Sequence, residues 1–226
     1  MNKKTIIAAL LALVALTAQG QEISKAEPTA TDYIKLLTKQ GYHVSALDLS
    51  KLEKDKYLLS PVIQIWSKGK MEQNLLDDFG MAYTNSAPKV TVGLMPKTDS
   101  LFTCNFQFDD VCGFTMNLPM PSVKNEDDGS EYTNYAWRPF VIQSEWKENE
   151  VIPIAAYSSS WYDPEAKICR NCDDLEFDAD FLKSATFHYS PCIYVFGITI
   201  KENVRQTPVV SHIVGCQRDK FSDVTR

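Results

Sequence analysis

The chain has 226 residues, with 23 lysines and arginines against 29 aspartates and glutamates and a formal charge of −6 at pH 7. An acidic balance with no Lys/Arg cluster to offset it repels phosphate backbones, which argues against nucleic acid as a partner. The length is enough for one large β domain that buries a core of its own.

Lys3 and Lys4 precede an uncharged aliphatic run from Ile6 to Leu16, and Ala18-Gln19-Gly20 follows. That order of charged, apolar and small residues predicts a secretory signal peptide over residues 1–20, cleaved after Gly20. The run is shorter than the roughly 20 apolar residues that cross a bilayer, and no later segment approaches that length. The expected product is exported and soluble, in the periplasm, at the cell surface or outside, where cysteines can be oxidised.

Residues 21–30 are polar and read as a flexible leader, and residues 31–226 as a single domain. Thr31 is placed to cap a helix over residues 32–40, with Asp32 in its first turn, Tyr33, Leu36 and Leu37 on one face, and Gly41 ending it. From Tyr42 the period changes to 2. Tyr42, Val44 and Ala46 alternate with His43, Ser45 and Leu47, and a strand follows from Tyr57 to Trp66 before a tight reversal at Ser67-Lys68-Gly69-Lys70. Met71–Phe79 suits strand or helix equally. Lys89–Met95 and Leu101–Phe108 form a hairpin. Phe102, Cys104, Phe106 and Phe108 share one face, and the alternation resumes after residues 109–111 as Cys112, Phe114, Met116 and Leu118. Residues 119–134 form a long loop. Trp137–Lys147 and Val151–Tyr157 read as a hairpin, Asp163-Pro164 as the start of a helical turn, and Ala185–Tyr189, Cys192–Ile200 and Val209–Cys216 as the last strands. The sum is a mainly β fold: an antiparallel β-sandwich of about nine or ten strands with one N-terminal α-helix.

Six cysteines in an exported chain imply disulfides. A hairpin centred on Val204 would set Cys192 directly across from Cys216, in reach of a bridge. A turn at residues 109–111 leaves Cys104 and Cys112 roughly 13 Å apart along the strands, too far to bridge each other. Cys169 and Cys172 form a C-x-x-C. Asp173 and Asp174 oppose the positive charge that a disulfide-exchange centre needs and no βαβ pattern surrounds it, so a structural role is expected. No second C-x-x-C or histidine pair completes a zinc site.

Asp174, Glu176, Asp178 and Asp180 alternate with Leu175, Phe177, Ala179 and Phe181. As a strand this spaces four carboxylates at about 6.7 Å on one face, a candidate calcium site, against the simpler reading of a solvated edge strand. No cofactor is otherwise expected. Trp137, Trp146, Trp161 and Tyr162 lie near the long loop, where exposed rings would stack on sugar faces, although aromatic residues on strands are more often core. His43, His188 and His212 are scattered and Ser158–Ser160 lack a nucleophile elbow.

The leader ending Ala-Gln-Gly-Gln, the overall length and the opening from Asp32-Tyr-Ile-Lys-Leu-Leu to Gly41-Tyr-His-Val44 together resemble an uncharacterised family of exported proteins from Bacteroides-type gut bacteria. The resemblance covers about the first sixty residues. It implies a Gram-negative cell envelope and a domain of unknown function, and it carries no catalytic residues. The expected activity is that of a non-catalytic binding or accessory module of the envelope, for a glycan or a protein partner. The alternative is an exported hydrolase, whose two carboxylates need only lie about 5 to 9.5 Å apart in space.

Overall fold

The computed structural model describes residues 25–124, 129–142, 145–163, 165–171 and 174–204. The chain divides into two compact units, Met1–Leu37 and Thr38–Arg226. Helix α1 spans Ala30–Lys39. Its cap is Thr29 rather than Thr31. The Thr29 Oγ1 accepts from Asp32 N at 3.4 Å, and Asp32 Oδ2 accepts from Thr29 N at 2.8 Å, a reciprocal capping box two residues earlier than expected.

The second unit is mainly β. Its first sheet has four antiparallel strands in the order β1 (His43–Asp48), β5 (Lys89–Thr98), β6 (Leu101–Gln107) and β7 (Gly113–Pro119). The second has six, in the order β10 (Tyr135–Pro139), β11 (Val151–Ser159), β14 (Ile193–Glu202) and β2 (Tyr57–Ser67), with β3 (Lys70–Asn74) and β4 (Tyr83–Thr84) both on the outer edge of β2. Two short ribbons complete the set: β8 (Val123–Lys124) with β9 (Glu131–Tyr132), and β12 (Trp161–Asp163) with β13 (Ile168–Arg170).

The two large sheets pack face to face as a sandwich. Val90, Val92 and Leu94 of β5 and Phe102, Cys104 and Phe106 of β6 meet Leu59 and Ile63 of β2 and Tyr194, Phe196, Ile198 and Ile200 of β14 in one core. Phe102 is its pivot, edge-on to Tyr157 at 5.0 Å and to Tyr194 at 5.2 Å. Strand alternation put the right residues of β5, β6 and β7 inside, because one face of that sheet is wet and period 2 is then unambiguous.

On β1 the expected alternation is present and the burial decides which set is internal. His43, Ser45 and Leu47 point inward and Val44 and Ala46 outward. Leu47 and Leu49 are the side chains large enough to reach the core, both are buried, and period 2 then fixes every other residue of the strand. The reversal after β2 is a tight turn with positive φ at Lys68 (48°) and Gly69 (78°), the geometry that a two-residue hairpin needs.

β14 is apolar on both faces because both are covered. Its even residues face the sandwich core, while Ile193 and Val195 face a second core with Phe140, Ala156, Phe177 and Phe187. That outer layer is built by residues 174–190, which include a 3-10 turn at Phe181–Lys183 and helix α2 at Ala185–Tyr189. The strand expected at 185–189 is therefore a helix. Ser184 Oγ caps it by accepting from Phe187 N at 3.1 Å, and its β-prone residues are overridden by the packing of Phe187 on Phe177 and Phe181.

One open reading is resolved and two further expectations are corrected. Met71–Phe79 divides into the strand β3 and a 3-10 turn at Asp77–Phe79. β10 stops at Pro139, so residues 140–150 form a long connection in place of a tight hairpin, although β10 and β11 do pair. Trp161–Asp163 pair with Ile168–Arg170, so Asp163 ends a strand where the start of a helical turn was expected, and Pro164 lies outside the described residues.

Candidate functional site

The connection from β10 to β11 leaves a surface cavity of about 190 Å³. Its walls are Phe140, Trp146, Pro153 and Phe181, with Val141 and Ile142 substantially exposed beside it. Glu145, Glu150 and Asp178 also line it, together with Lys147, whose Nζ lies 3.2 Å from Glu150 Oε1. The loop is held at its base by backbone bonds from Phe140 N to Ile154 O and from Val141 N to Phe177 O. Trp146 is half-buried and meets Tyr57 edge-on at 5.6 Å, so one part of its ring is anchored in the sandwich. The volume is below the roughly 300–1,000 Å³ of clefts that enclose drug-sized ligands. It suits one ring or one side chain of a longer ligand laid across the surface.

A second polar feature lies on the outer face of the six-stranded sheet. Arg138 is fully buried there. Its Nε donates to Asp174 O at 2.7 Å, its Nη1 to Ser158 Oγ and to Ala136 O, and its Nη2 to the backbone and side-chain oxygens of Asn171. The guanidinium also stands 5.9 Å from the centre of the Phe177 ring. Beside it Ser159 and Ser190 share a hydroxyl contact of 2.9 Å, and Thr186 Oγ1 donates to Asp174 Oδ2 at 2.8 Å. Every one of these groups is satisfied, so the cluster reads as a weld between β10, β11 and the outer layer. Sequence reasoning missed it. The available signal was the triple serine at the end of an apolar strand, which is buried and belongs partly to β11.

A third cluster surrounds Cys192. Burial holds its thiol and the Tyr135 and Tyr194 phenols above their ordinary values, and the two phenol hydroxyls donate to Pro121 O at 3.0 Å and Pro119 O at 2.8 Å. Neutral groups so held are inert.

The expected site residues are dispersed. Trp161 is buried against Tyr189, and Trp137 is stacked between His43 and Phe196 at 5.8 Å from each, with Nε1 donating to Ser45 Oγ at 3.3 Å. Tyr162 lies on β12, half-buried, so of the four aromatic candidates only Trp146 lines the cavity. Asp174, Glu176, Asp178 and Asp180 do not form a strand face. Phe177 is anchored by a bridge to Phe140, Asp178 Oδ1 accepts from Asp180 N in a turn, and Asp180 pairs with Lys183 at 2.9 Å. Among the described residues no group of three or more His, Cys, Asp or Glu side chains converges as a metal site would require.

Cys104 lies opposite Met116 and Cys112 beside the turn of the same hairpin, and both are thiols. Burial raises both, and the Asp109 carboxylate adds to the shift at Cys112. Cys169 is an exposed thiol on β13, 3.7 Å from Ser160 Oγ. Cys172 and Cys216 lie outside the described residues, as do His212 and the strand expected at Val209–Cys216. The hairpin that would set Cys216 across from Cys192 has no place in the sheet, because β11 and β2 occupy both edges of β14.

His43 is half-buried, and desolvation holds its imidazole below the ordinary range. His188 is exposed on α2, edge-on to Tyr189 at 4.6 Å. Among the described residues no helix is long and apolar enough to cross a membrane.

No curated protein and no solved structure matches the chain. A family model described as a domain of unknown function, DUF5041, matches residues 12–202. The match takes in both large sheets and the whole of the candidate cleft, and the chain belongs to the DUF5041 family.

Proposed function

We propose that the chain is exported by a cleaved N-terminal signal and works as a non-catalytic binding module of a Gram-negative cell envelope, with a glycan as the ligand of the Trp146 cleft. The observation that carries this reading is the meeting of one anchored indole with Glu145, Glu150 and Asp178 in a cavity the size of a single ring. An indole covers the apolar face of a sugar, and carboxylates accept from its hydroxyls. Export places the thiols in an oxidising compartment, where the exposed Cys169 is the first open to disulfide formation. Any bridge from Cys192 to Cys216 would have to come from a segment that is not its hairpin neighbour.

The test is titration of the purified chain with a panel of oligosaccharides, followed by tryptophan fluorescence and thermal melting. A ligand at about 100 times its Kd stabilises the fold by about 2.7 kcal/mol. Saturable binding that is lost in Trp146→Phe and Asp178→Asn, with the sugar recovered intact, supports the reading. The three carboxylates favour one second reading, a hydrolase, and cleavage of the bound sugar would select it. No response to any sugar would send the cleft to a protein partner.

A further inference from the structure

The two large sheets expose several edges, and most are guarded. β1 carries His43 and Asp48, β10 carries Arg138 and closes on Pro139, and β3 carries Lys70 and Glu72. Charges, prolines and bulges are the means by which native sheets keep an edge from taking up another strand. β7 has almost none of them. Gly113-Phe-Thr-Met-Asn-Leu-Pro119 holds no charge, its one proline is its last residue, and it pairs with β6 over its whole length without a register shift.

Among the described residues nothing pairs with the outer side of β7. In the β6–β7 ladder Phe108 N donates to Cys112 O and Met120 N to Ser100 O, so the even-numbered positions bond to β6. Gly113, Thr115 and Asn117 therefore turn their backbone groups outward. At the same edge Phe114 and Met116 pack on the main core and remain only half covered.

We propose that this edge joins two copies of the chain, β7 pairing antiparallel with β7 of a second copy about a two-fold axis at Thr115. In that register Gly113 of one copy faces Asn117 of the other, Thr115 faces its own counterpart, and each pair exchanges two backbone bonds. Phe114 of one copy lies beside Met116 of the other and completes its cover. Asp109 and Asp110 run past the end of the ladder toward the neutral stretch Pro119–Pro121, so like charges do not meet. That self-complementarity favours a second copy over a foreign strand: the edge holds no charge in a chain that is acidic overall, so two copies can meet here without opposing acid to acid. A single short ladder lies at the small end of interface sizes, so the expected Kd is between about 1 µM and about 1 mM.

Sedimentation equilibrium over that concentration range tests the proposal. The chain should dimerise, and Thr115→Pro should weaken the dimer about thirtyfold. It removes an outward N–H used once by each copy and none of the β6 ladder, at about 1 kcal/mol per bond. Thr115→Lys, which sets two ammonium groups at the axis, gives the same readout if the proline variant melts early. Thr91→Lys, on the middle strand β5 of the same sheet, should leave the dimer unchanged. A chain that is monomeric up to about 1 mM, or a dimer unaffected by either Thr115 variant, would overturn the proposal.

Discussion

Two strand glycines should respond to the same substitution with opposite signs. Gly197 sits in the central strand β14, where an added Cβ would meet Ile152 O at 2.5 Å and Ile152 C and Pro153 Cα at 3.1 Å. All three are backbone atoms beside the bulge of β11, so relief requires the two central strands to move apart. Overpacking of this kind costs about 1–3 kcal/mol. The opposing gain, from an unfolded chain with less freedom, is about 0.4–1 kcal/mol. The clash wins, and Gly197→Ala should lose about 1–2 kcal/mol, or roughly 5 °C in Tm for a domain of this size.

At Gly93 the nearest atom to an added Cβ is His43 O at 3.8 Å, an ordinary contact. Only the unfolded-state effect then remains, and Gly93→Ala should gain up to about 1 kcal/mol. Urea unfolding of both variants beside the parent chain measures the difference, provided that the slope with denaturant is unchanged. A Gly197→Ala variant as stable as Gly93→Ala would refute both the register of β14 against β11 and the reasoning built on it.

Two further outcomes follow from the polar groups. Arg138→Met should destabilise the fold by about 3 kcal/mol, because Ser158 Oγ and the carbonyls of Asn171 and Asp174 lose a charged donor that the methionine cannot replace. Amide exchange would show the loss first in residues 174–190, and uniform exchange across both sheets would count against the weld. Asp109 is held below the ordinary carboxylate value chiefly by the backbone N–H of Cys112, with those of Val111 and the Ser86 hydroxyl adding to it. A depressed carboxylate contributes stability that is present above its unfolded value near 3.8 and is lost as pH falls through the lower folded value. Stability curves of the parent and Asp109→Asn should therefore run parallel near neutral pH and converge as pH falls below about 4 through the lower folded value, and curves that stay parallel in acid would sink the assignment.

The sheet that has one wet face was the legible part of the fold. Over Lys89–Leu94, Phe102–Gln107 and Gly113–Leu118 apolar residues alternate with polar residues or glycine, and the turn at residues 109–111 follows from local register alone. What sequence could not show was non-local pairing. Nothing within residues 192–216 says that β2 and β11, each far away in the chain, take both edges of β14 and exclude the expected hairpin. The candidate site divided in the same way. Aromatic residues on strands are favoured by packing and by ligand binding alike, and only the paths of β10 and β12 decide that Trp137 and Trp161 are internal while Trp146, on the connection, reaches the cleft.

The acidic stretch shows how one overlooked feature decides another. Ile193–Ile198 is buried without interruption, whereas a strand with one wet face alternates. A strand buried on both faces requires a second layer, and the chain just before it supplies Phe177, Phe181 and Phe187, whose rings stand 4.8–5.0 Å apart about Phe187 on the outer face of the sheet. Once Phe177 is fixed inward by its bridge to Phe140, the residues around it are set outward, and Glu176, Asp178 and Asp180 are exposed. Their charge keeps the outside of the added layer solvated, and Asp178, at the point where that layer meets the β10–β11 connection, is the one carboxylate of the four that lines the cleft.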